Sequence, residues 1–486
     1  MDTKKLRQKI LDLAIRGKLV PQDSNDEPAS VLLERIKAEK ERLIKEGKIK
    51  RSKKSAKTSD TPHYPYLLPK GWVWTILPEL CIIPITDGTH QTPTYTDKEH
   101  GIPFISSKDV TSQRINWDNV KYITKELHEE LYRRIAPQKD DILLAKNGTT
   151  GVAAIVEDSR VFDIYVTLAV IRPSQNIYPR YLYQVINSNF CKEQFNNHLT
   201  GIGLPNLHLV DIKKTIIPLP PFAEQQRIVA EIEKWFALID QIEQEKSDLQ
   251  TIIKQTKSKI LDLAIHGKLV PQDPNDEPAI ELLKRINPNF TPCDNGHSEK
   301  FPQDWEHILI GDYVETVTDF VASGSFASLR ENVKYYNEPN YAILVRTKDF
   351  QNNFKQDLVY TDQHGYDFLA KSNLFGGELI FSNVGSIGKI FIVPELNQKM
   401  TLAPNAIMVR FHNDKQQKWF YYLFSSTTGQ SLLDSITSAT AIGKFNKTDF
   451  KKLPIPIPPL AEQQRIVQKI EELFHVLDNI QNALEV

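Results

Sequence analysis

A segment of 28 residues is written almost identically at two places in this chain of 486 residues. Residues 9–36 and 259–286 align without a gap and differ at only five positions, 16, 24, 30, 31 and 34. A second segment is also repeated, since IPLPPFAEQQRIV at 217–229 returns as IPIPPLAEQQRIV at 455–467. Internal repeats constrain the whole architecture, because each copy is expected to fold in the same way.

The order of these repeats is unusual. We call the copies at 217–229 and 455–467 segment A, and the copies at 9–36 and 259–286 segment B. Along the chain the order is B, a variable region, A fused to B, a second variable region, and A. If the two termini meet in space, the end pieces rebuild the fused unit of the middle. The order therefore predicts a cyclically permuted pseudo-two-fold repeat that carries two variable regions.

From the end of each copy of segment A onward, apolar residues recur at alternating spacings of four and three, with Lys246 and Thr256 in the two slots that are not apolar. This is the pattern of a coiled-coil seam. The predicted seam residues are Ile228, Ile232, Trp235, Ile239, Ile242, Leu249, Ile253, Ile260, Leu263, Ile466, Ile470, Leu473 and Leu477. The pattern predicts one helix over 222–265, roughly 65 Å long at 1.5 Å per residue. Glu224 and Glu462 would lie in first turns, where the helix dipole favours them. Gly17 and Gly267 would end their helices.

A long apolar seam needs a partner, and the helices predicted at 3–13 and 466–484 can supply one within the same chain. Antiparallel pairing would give an intramolecular coiled coil, a rod that holds the two variable regions apart. The alternative is an intermolecular coiled coil that dimerises the chain. A monomeric mass in solution would support the first arrangement and a dimeric mass the second.

The variable regions, at about 60–216 and 291–453, share a skeleton although their sequences differ. Each opens with a proline and a tryptophan, followed by a strand leading to Lys-Asp and two strands joined by a glycine turn. Each then continues with an amphipathic helix and closes with a polar loop. The proline-rich runs such as 217–221 lack strand alternation and are predicted to be extended connectors. The fold class predicted is two similar mixed α/β domains separated by long antiparallel helices.

The loops of these domains are rich in side chains that can hydrogen-bond to base edges in DNA. Candidates in the first domain are Thr89, His90, Gln91, Lys108, Lys146, Asn147, Asn206 and His208. Candidates in the second domain are Ser323, Ser325, Arg346, Lys348, Asn383, Lys444, Asn446 and Lys447. The alternative for each single residue is an exposed loop position, or an Asn that holds a turn.

Composition restricts the class of protein further. Lys and Arg number 60 and Asp and Glu 61, a net charge of -1, so the chain is not a general polycation. Residues 37–57 hold ten basic and three acidic residues, which predicts either a solvated linker or a non-specific phosphate contact. Cys81, Cys191 and Cys293 suit a reducing compartment. With no signal peptide and no run of 18 apolar residues, a cytoplasmic location is expected and no membrane contact.

Catalytic motifs are absent from the sequence. It contains no GxxxxGK[ST], GxSxG or HExxH, and its twelve histidines lack metal-ligand spacing. Asn287–Phe290, NPNF, resembles the Asn-Pro-Pro-Tyr/Phe motif of amino-methyltransferases, but Asn289 replaces the second proline and a turn is predicted. We therefore expect no catalytic residues, no bound metal and no cofactor on this chain.

The residues that carry a family resemblance are LPPFAEQQRIV and IPPLAEQQRIV, KILDLAIxGKLVPQD and the LPxGW domain start. They resemble the specificity subunits of type I restriction-modification enzymes, and the resemblance covers essentially the whole chain. It implies two target-recognition domains at 60–216 and 291–453, with conserved segments at 1–59, 217–290 and 454–486. Each domain would read one half of a split, asymmetric site in double-stranded DNA.

The resemblance also implies partners. Two modification subunits would dock on the conserved helices and methylate adenine with S-adenosylmethionine, and restriction subunits would add ATP- and magnesium-dependent translocation and cleavage. A fused methyltransferase-nuclease is a competing hypothesis, against which the missing motifs count. A protein-binding scaffold without a DNA role is another, which salt-dependent and sequence-selective DNA binding would exclude.

Overall fold

The computed structural model describes residues 2–49, 64–111, 113–197, 199, 205–291, 301–413, 416–438 and 443–485. Cys293, residues 50–57 of the basic segment and the closing-loop residues 200–204 and 439–442 lie outside these ranges. The chain divides into two compact units, Met1–Glu245 and Lys246–Val486. Their boundary falls inside the predicted central segment 217–290, and the other segment bounds stay predictions.

One central helix runs unbroken from Phe222 to Ile265, a length of 44 residues, which confirms the helix predicted from the heptad spacing. Two further helices come from the ends of the chain, Thr3–Ile15 and Leu460–Glu485. The N-terminal helix packs against the part of the central helix in the first unit, and the C-terminal helix against the part in the second unit. The pairing is therefore intramolecular, as predicted.

Both pairings are antiparallel. In the first unit, Arg7 bonds Asp240 at 2.7 Å, whereas Gln22, farther along, bonds Glu224 at 3.0 Å. Residue numbers thus rise on one side of the contact as they fall on the other. The equivalent pairs in the second unit are Lys257 with Asp478 and Gln272 with Glu462.

Most of the predicted seam residues lie in the interior of their own unit. Ile228, Ile232, Ile239, Ile253, Ile260, Ile466 and Ile470 are buried, and Leu249, Leu263, Leu473 and Leu477 are half-buried. The prediction is corrected at Trp235 and Ile242, which are 43% and 44% exposed. A straight helix repeats every 3.6 residues rather than every 3.5, so its buried face drifts away from a strict heptad. Phe236 packs against the core in place of Trp235.

The N-terminal helix ends in a glycine turn. The amide of Gly17 donates to the carbonyl of Ala14 at 3.1 Å, and the amide of Lys18 donates to that of Leu13 at 2.8 Å. Gly17 has a φ of +64°, in the left-handed region that favours glycine. Gly267 ends the central helix with the same pair of bonds and a φ of +63°, so both predicted glycine caps are confirmed.

Gly17→Ala is expected to destabilise the first unit by more than its backbone conformation alone explains. A Cβ there would lie 2.4 Å from Cγ of Pro69, whereas a Cβ at Gly47 would meet nothing within 4 Å. Gly47 has a φ of +69° and ends Ala29–Lys45 with the same turn, so it is a matched control. The left-handed backbone costs alanine about 1–2 kcal/mol at either position. Urea unfolding measures the two losses, and equal losses would contradict the packing of Gly17 on Pro69.

The first variable domain is a mixed α/β fold, as predicted. Its helices are Leu77–Leu80, Lys125–Arg134, Pro179–Asn187, Asn189–Asn196 and Leu209–Ile212, with a 3₁₀ turn at Ser107–Asp109. One sheet has the strand order Thr86–Asp87, Leu168–Ile171, Ile142–Ala145, Ala153–Ile155. The other has the order Asp163–Ile164, Ile102–Ile105, Lys121–Ile123, Tyr95–Thr96, and a small hairpin pairs Val110–Thr111 with Arg114–Ile115.

The second variable domain repeats this plan. Its helices are Ile310–Tyr313, Phe326–Asn332, Gln363–Phe368, Gln417–Ser425, Thr427–Ser435 and Lys447–Lys451, and Ala279–Ile286 precedes it. One sheet has the order Thr316–Asp319, Ala406–Arg410, Leu379–Ser382, Ile390–Ile392. The other has the order Tyr360–Thr361, Ala342–Val345, Lys399–Leu402, Asn373–Leu374. In both domains the first of these sheets is antiparallel and the second contains one parallel pair.

A two-stranded ribbon closes each domain. Val73–Ile76 pairs with Ile216–Leu219 in the first domain, and Glu306–Leu309 with Pro454–Ile457 in the second. The prediction that these proline-rich runs are extended connectors rather than strands is therefore wrong. Both strands of a two-stranded ribbon are edges, so a proline can stand where its missing N–H faces away from the partner strand.

A buried glutamate joins the first domain to its helices. The Glu224 carboxylate is 1% exposed and accepts hydrogen bonds from the Trp72 indole at 2.9 Å and the Gln22 amide at 3.0 Å. Burial raises the pKa of this carboxyl, and the two donors offset part of that rise. We call Gln22, Trp72 and Glu224 the first clamp. The clamp joins segment B, the start of the domain and segment A.

The second unit contains the same arrangement, which we call the second clamp: Gln272, Trp305 and Glu462. Its carboxylate is also 1% exposed, and its hydrogen bonds measure 2.9 Å from Trp305 and 2.7 Å from Gln272. Burial again raises the pKa of the carboxyl. Beside each clamp an arginine of segment A forms a two-pronged ion pair with an aspartate of segment B, Arg227 with Asp26 and Arg465 with Asp276.

Candidate nucleic-acid interface

In the first domain, backbone bonds bring the glycine turn and the closing polar loop together. Asn147, in the turn, forms an antiparallel bridge with Asn206 of the loop. The amide of Leu207 donates to the carbonyl of Lys146 at 2.9 Å. Gly148 follows with a φ of +72°, which lets the turn reverse beside the loop. Two stretches about 60 residues apart in the sequence therefore form one polar edge.

The second domain builds the same edge with different side chains. Val384 stands where the first domain has Asn147, and it bridges Lys444 of the closing loop. The amide of Phe445 donates to the carbonyl of Asn383 at 3.2 Å, and the Asn383 side chain donates back to the Phe445 carbonyl at 2.9 Å. Gly385 has a φ of +76°. The backbone frame is shared, whereas the side chains it presents differ.

An open groove of about 770 Å³ lies along this edge of the second domain. It is lined by Asp319, Val321, Asn383, Val384, Ser435, Ile436, Thr437, Ser438, Lys444, Phe445, Asn446, Asp449, Lys452 and Leu453. Lys444 is exposed, and within the described part of the chain no carboxylate lies within ion-pair distance of its ammonium group. The groove is therefore lined by the exposed lysines Lys444 and Lys452, by carboxylates that include Asp449, and by hydroxyl and amide groups.

Some predicted contacts of the first domain are engaged inside the protein. Lys146 is 6% exposed and its ammonium bonds the Asp87 carboxylate at 2.5 Å, and Thr89 is 7% exposed. The alternative of an exposed loop position does not hold for these two residues, and the pairing of Lys146 is what a buried charge needs. Their contact with DNA stays a prediction. Burial alone would raise the pKa of Asp87, but Lys146 and His90 outweigh it and hold that pKa below its usual value. Arg134 also reaches Asp87, at 3.3 Å.

Two cations of the second domain are likewise paired. Arg346 bonds Asp349 at 2.6 Å, and Asp349 is fully buried. Lys447 bonds Asp319 at 2.9 Å, where Asp319 corresponds to Asp87 of the first domain. Both side chains therefore have partners inside the protein, and their contact with DNA stays a prediction. Each cation neutralises the carboxylate that it contacts.

The shared Lys-Asp pair has one structural and one exposed member. Asp109 is 6% exposed and accepts hydrogen bonds from the amide and hydroxyl of Ser106. Asp349 likewise accepts from the amide of residue 346. Lys108 and Lys348 stand exposed on these two equivalent turns. The aspartate holds each turn and the lysine is exposed on it; in the first domain the Lys108 ammonium also lies 3.7 Å from the Asp109 carboxylate.

The remaining candidates divide by exposure. His90, Gln91, His208, Ser325 and Asn446 are exposed, and Asn147, Asn206, Ser323 and Asn383 are half-buried. Ser325 and Asn446 also cap helices, since they accept from the amides of Ser328 and Asp449. For these two residues the turn-holding alternative accounts for the side chain. None of these observations tests base contact, so the whole set stays a prediction.

The sequence analysis missed other polar residues beside these edges. Arg134 lies beside Asp87 in the first domain, and Ser435, Thr437 and Lys452 line the groove of the second. The 10-residue helix that ends at Arg134 is amphipathic, but its partner Asp87 is 47 residues away in sequence. No spacing pattern connects the two, so only the fold reveals this cluster.

Within the described residues, no group of three or more His, Cys, Asp or Glu side chains is placed to hold a metal ion. Over the same ranges, no helix combines the length and the apolarity that crossing a membrane requires.

The fold defines a modular class of protein, in which two α/β domains with polar edges are carried by paired helices. Comparison of the sequence with known proteins identifies the family. The model of the type I restriction modification DNA specificity domain matches residues 69–251 and 302–486. The chain therefore belongs to this family, the specificity subunits of type I restriction-modification enzymes. Membership confirms the expectation of a non-catalytic, DNA-recognising subunit.

Two relatives from Escherichia coli illustrate the similarity. The EcoEI specificity subunit is 29% identical over 99% of this chain and 91% of that protein. The EcoAI specificity subunit is 35% identical over 58% of this chain and 55% of that protein.

Solved structures agree in fold. A chain from a study of complex assembly and conformational transition of the type I R-M system has a TM-score of 0.56, at 19% identity over 87% of this chain and 94% of that one. The HsdS subunit from Thermoanaerobacter tengcongensis has a TM-score of 0.51, at 19% identity over 86% and 93%. At this identity the likeness bears on the fold alone.

Proposed function

We propose that each variable domain reads one half of a split, asymmetric DNA site through the edge where its glycine turn meets its closing loop. One observation carries this proposal. The two domains share a backbone bridge at this edge but present different side chains there, Asn147 with Asn206 in one and Val384 with Lys444 in the other. A common frame with different donors and acceptors is what reading two different base sequences requires.

The chemistry of these side chains suits the two parts of DNA recognition. Asparagine amides can pair with adenine edges, and lysine can donate to guanine O6 and N7. Lys108 and Lys348, exposed on equivalent turns, would contact phosphates and hold each domain in register. Because the domains differ in sequence, the two half-sites are expected to differ too.

The partners follow from the family. Two modification subunits would dock on the paired helices and methylate adenines flipped out of the duplex, and restriction subunits would join to translocate and cleave DNA. S-adenosylmethionine, ATP and magnesium would be bound by those partners and not by this chain. The complex would act in the cytoplasm, where its DNA substrate lies. The length of the central helix would set the number of unread bases between the half-sites.

Lys444→Ala is expected to weaken DNA binding by the complex and to relax base selectivity in the second half-site only. Loss of a base-edge contact should cost about 1–3 kcal/mol of binding free energy, whereas loss of a phosphate contact should lower the slope of log K against log salt by about one unit. Binding is measured by titration between 50 and 200 mM salt on duplexes with each half-site randomised in turn. Lys371→Ala is the control, an exposed lysine of the same domain that does not line the groove. Equal effects of both variants, or a change in the first half-site, would contradict the proposed edge.

A further inference from the structure

Each variable domain is attached to its helices by two stretches of chain, and the clamp ties these stretches together. In the first unit the chain enters at Trp72, follows Val73–Ile76, and leaves through the paired strand Ile216–Leu219 into the central helix. Glu224 lies in the first turn of that helix and holds Trp72. The chain segments that enter and leave the domain are thus joined twice, by the pairing of these two strands and by the buried Trp72–Glu224 hydrogen bond.

The third member of each clamp extends this tie to segment B. Gln22 donates to Glu224 and also to the carbonyl of Gly17, the glycine that ends the N-terminal helix. Gly17 in turn packs on Pro69, just before Trp72. One carboxylate therefore connects both paired helices with the start of the domain.

Joining these parts through a buried carboxylate costs free energy. Taking a charge out of water costs several kcal/mol, and well-packed apolar residues often give equal or greater stability. What hydrogen bonds add is direction, because an apolar contact can slide whereas donors at 2.9 and 3.0 Å fix both distance and angle. The second clamp repeats the first with bonds of 2.9 and 2.7 Å. Both domains are therefore held on their helices by the same geometry.

We propose that the two clamps are positioning devices that fix the orientation of each reading domain on its own helices, and so set how strictly the complex discriminates spacer length. The inference rests on the proposed reading of a split site. Adding one base pair to a spacer moves a half-site by about 3.4 Å and turns it by about one tenth of a helical turn. A domain held at fixed angles cannot follow that movement, whereas a domain on a loosened joint can.

The test uses the complete complex with its modification subunits and a set of duplexes. Each duplex carries the two wild-type half-sites, as defined by methylation mapping, with the native spacer or with one base pair more or fewer. Trp72→Phe keeps the ring in the core but removes the indole donor to Glu224, and Trp305→Phe does the same in the second unit. Initial methylation rates are compared with those of Arg35→Ala, which breaks only the exposed Arg35–Glu27 pair on segment B.

For each Trp→Phe variant we expect the ratio of the methylation rate on an altered spacer to that on the native spacer to rise about tenfold. Small misplacements of reacting groups have large effects on rate, and a loosened domain can correct them. Base preferences within each half-site should stay unchanged, and Arg35→Ala should behave as wild type. Gln22→Ala, which removes the other donor, should widen spacer tolerance in the same direction.

Parallel rate losses on all spacers, with an unchanged ratio, would overturn the inference and leave the clamps with a role in stability alone. Widening by Arg35→Ala as well would also overturn it. The proposed function fails separately, if wild-type complex methylates no split site at all.

Discussion

A chain in which residues 310–453 replace residues 77–215 is expected to direct methylation to a site whose two halves are identical and inverted. Both units would then carry the second reading domain in the pseudo-symmetric frame of the repeats. Each mismatched base pair costs about 1–3 kcal/mol, so methylation of the original asymmetric site should fall to background.

The cut points of this exchange are equivalent in the two domains. The amide of Leu77 donates to the carbonyl of Thr215 at 2.9 Å, and the amide of Ile310 donates to that of Leu453 at 3.1 Å. The ends of each insert therefore lie side by side, next to the ribbon that closes the domain. Ribbons and clamps remain those of the host unit, so the attachment of the domain is preserved.

The reciprocal chimaera, with residues 77–215 in place of 310–453, provides the control. It should produce the other symmetric site, and the halves of the two new sites should together make up the wild-type site. Methylome sequencing of cells that express each chimaera with its modification partner gives both sites directly. An unchanged asymmetric motif in either chimaera would contradict the modular reading of DNA.

Leu473→Pro is expected to destabilise the second unit by about 3 kcal/mol or more. Leu473 lies inside Leu460–Glu485, half-buried against the core of its unit. Proline there removes a helix hydrogen bond and clashes with the preceding turn. Urea unfolding followed by circular dichroism measures the loss, and gel filtration with the modification partner measures docking.

Leu473→Ala is the matched control, since it removes the same side chain but keeps the helix. Its loss should be smaller, because the side chain is only half-buried. Wild-type unfolding and wild-type partner binding by the proline variant would exclude a structural role for the C-terminal helix.

The helices and the repeat were predictable because their signals are local and periodic. The 4–3 spacing predicted one helix over 222–265, and the observed helix has these bounds, Phe222–Ile265. The glycine caps and the shared domain skeleton were equally readable, since each depends on neighbouring residues. Among the predicted seam residues, burial was wrongly predicted only at Trp235 and Ile242, because the heptad period of 3.5 residues departs from the 3.6 residues per turn of a straight helix.

The contacts that connect distant parts of the chain were not predictable. Glu224 lies in the first turn of its helix, as predicted, but its bonds to Gln22 and Trp72, respectively 202 and 152 residues away, were not foreseen. Lys146 was predicted only as a candidate DNA contact, and its pairing with Asp87, 59 residues away, was not foreseen. Charge and residue type describe what a side chain can bind, and only the fold decides which partner is near.

In the proposed mechanism this chain directs methylation to a split, asymmetric DNA site. Single-molecule methylation mapping of host DNA, with and without the gene and with the modification partner expressed, tests it most directly. We expect a bipartite adenine-methylation motif with two different halves that disappears when the gene is removed. Methylation that is identical with and without the gene, while the partner is present and active, would contradict the account.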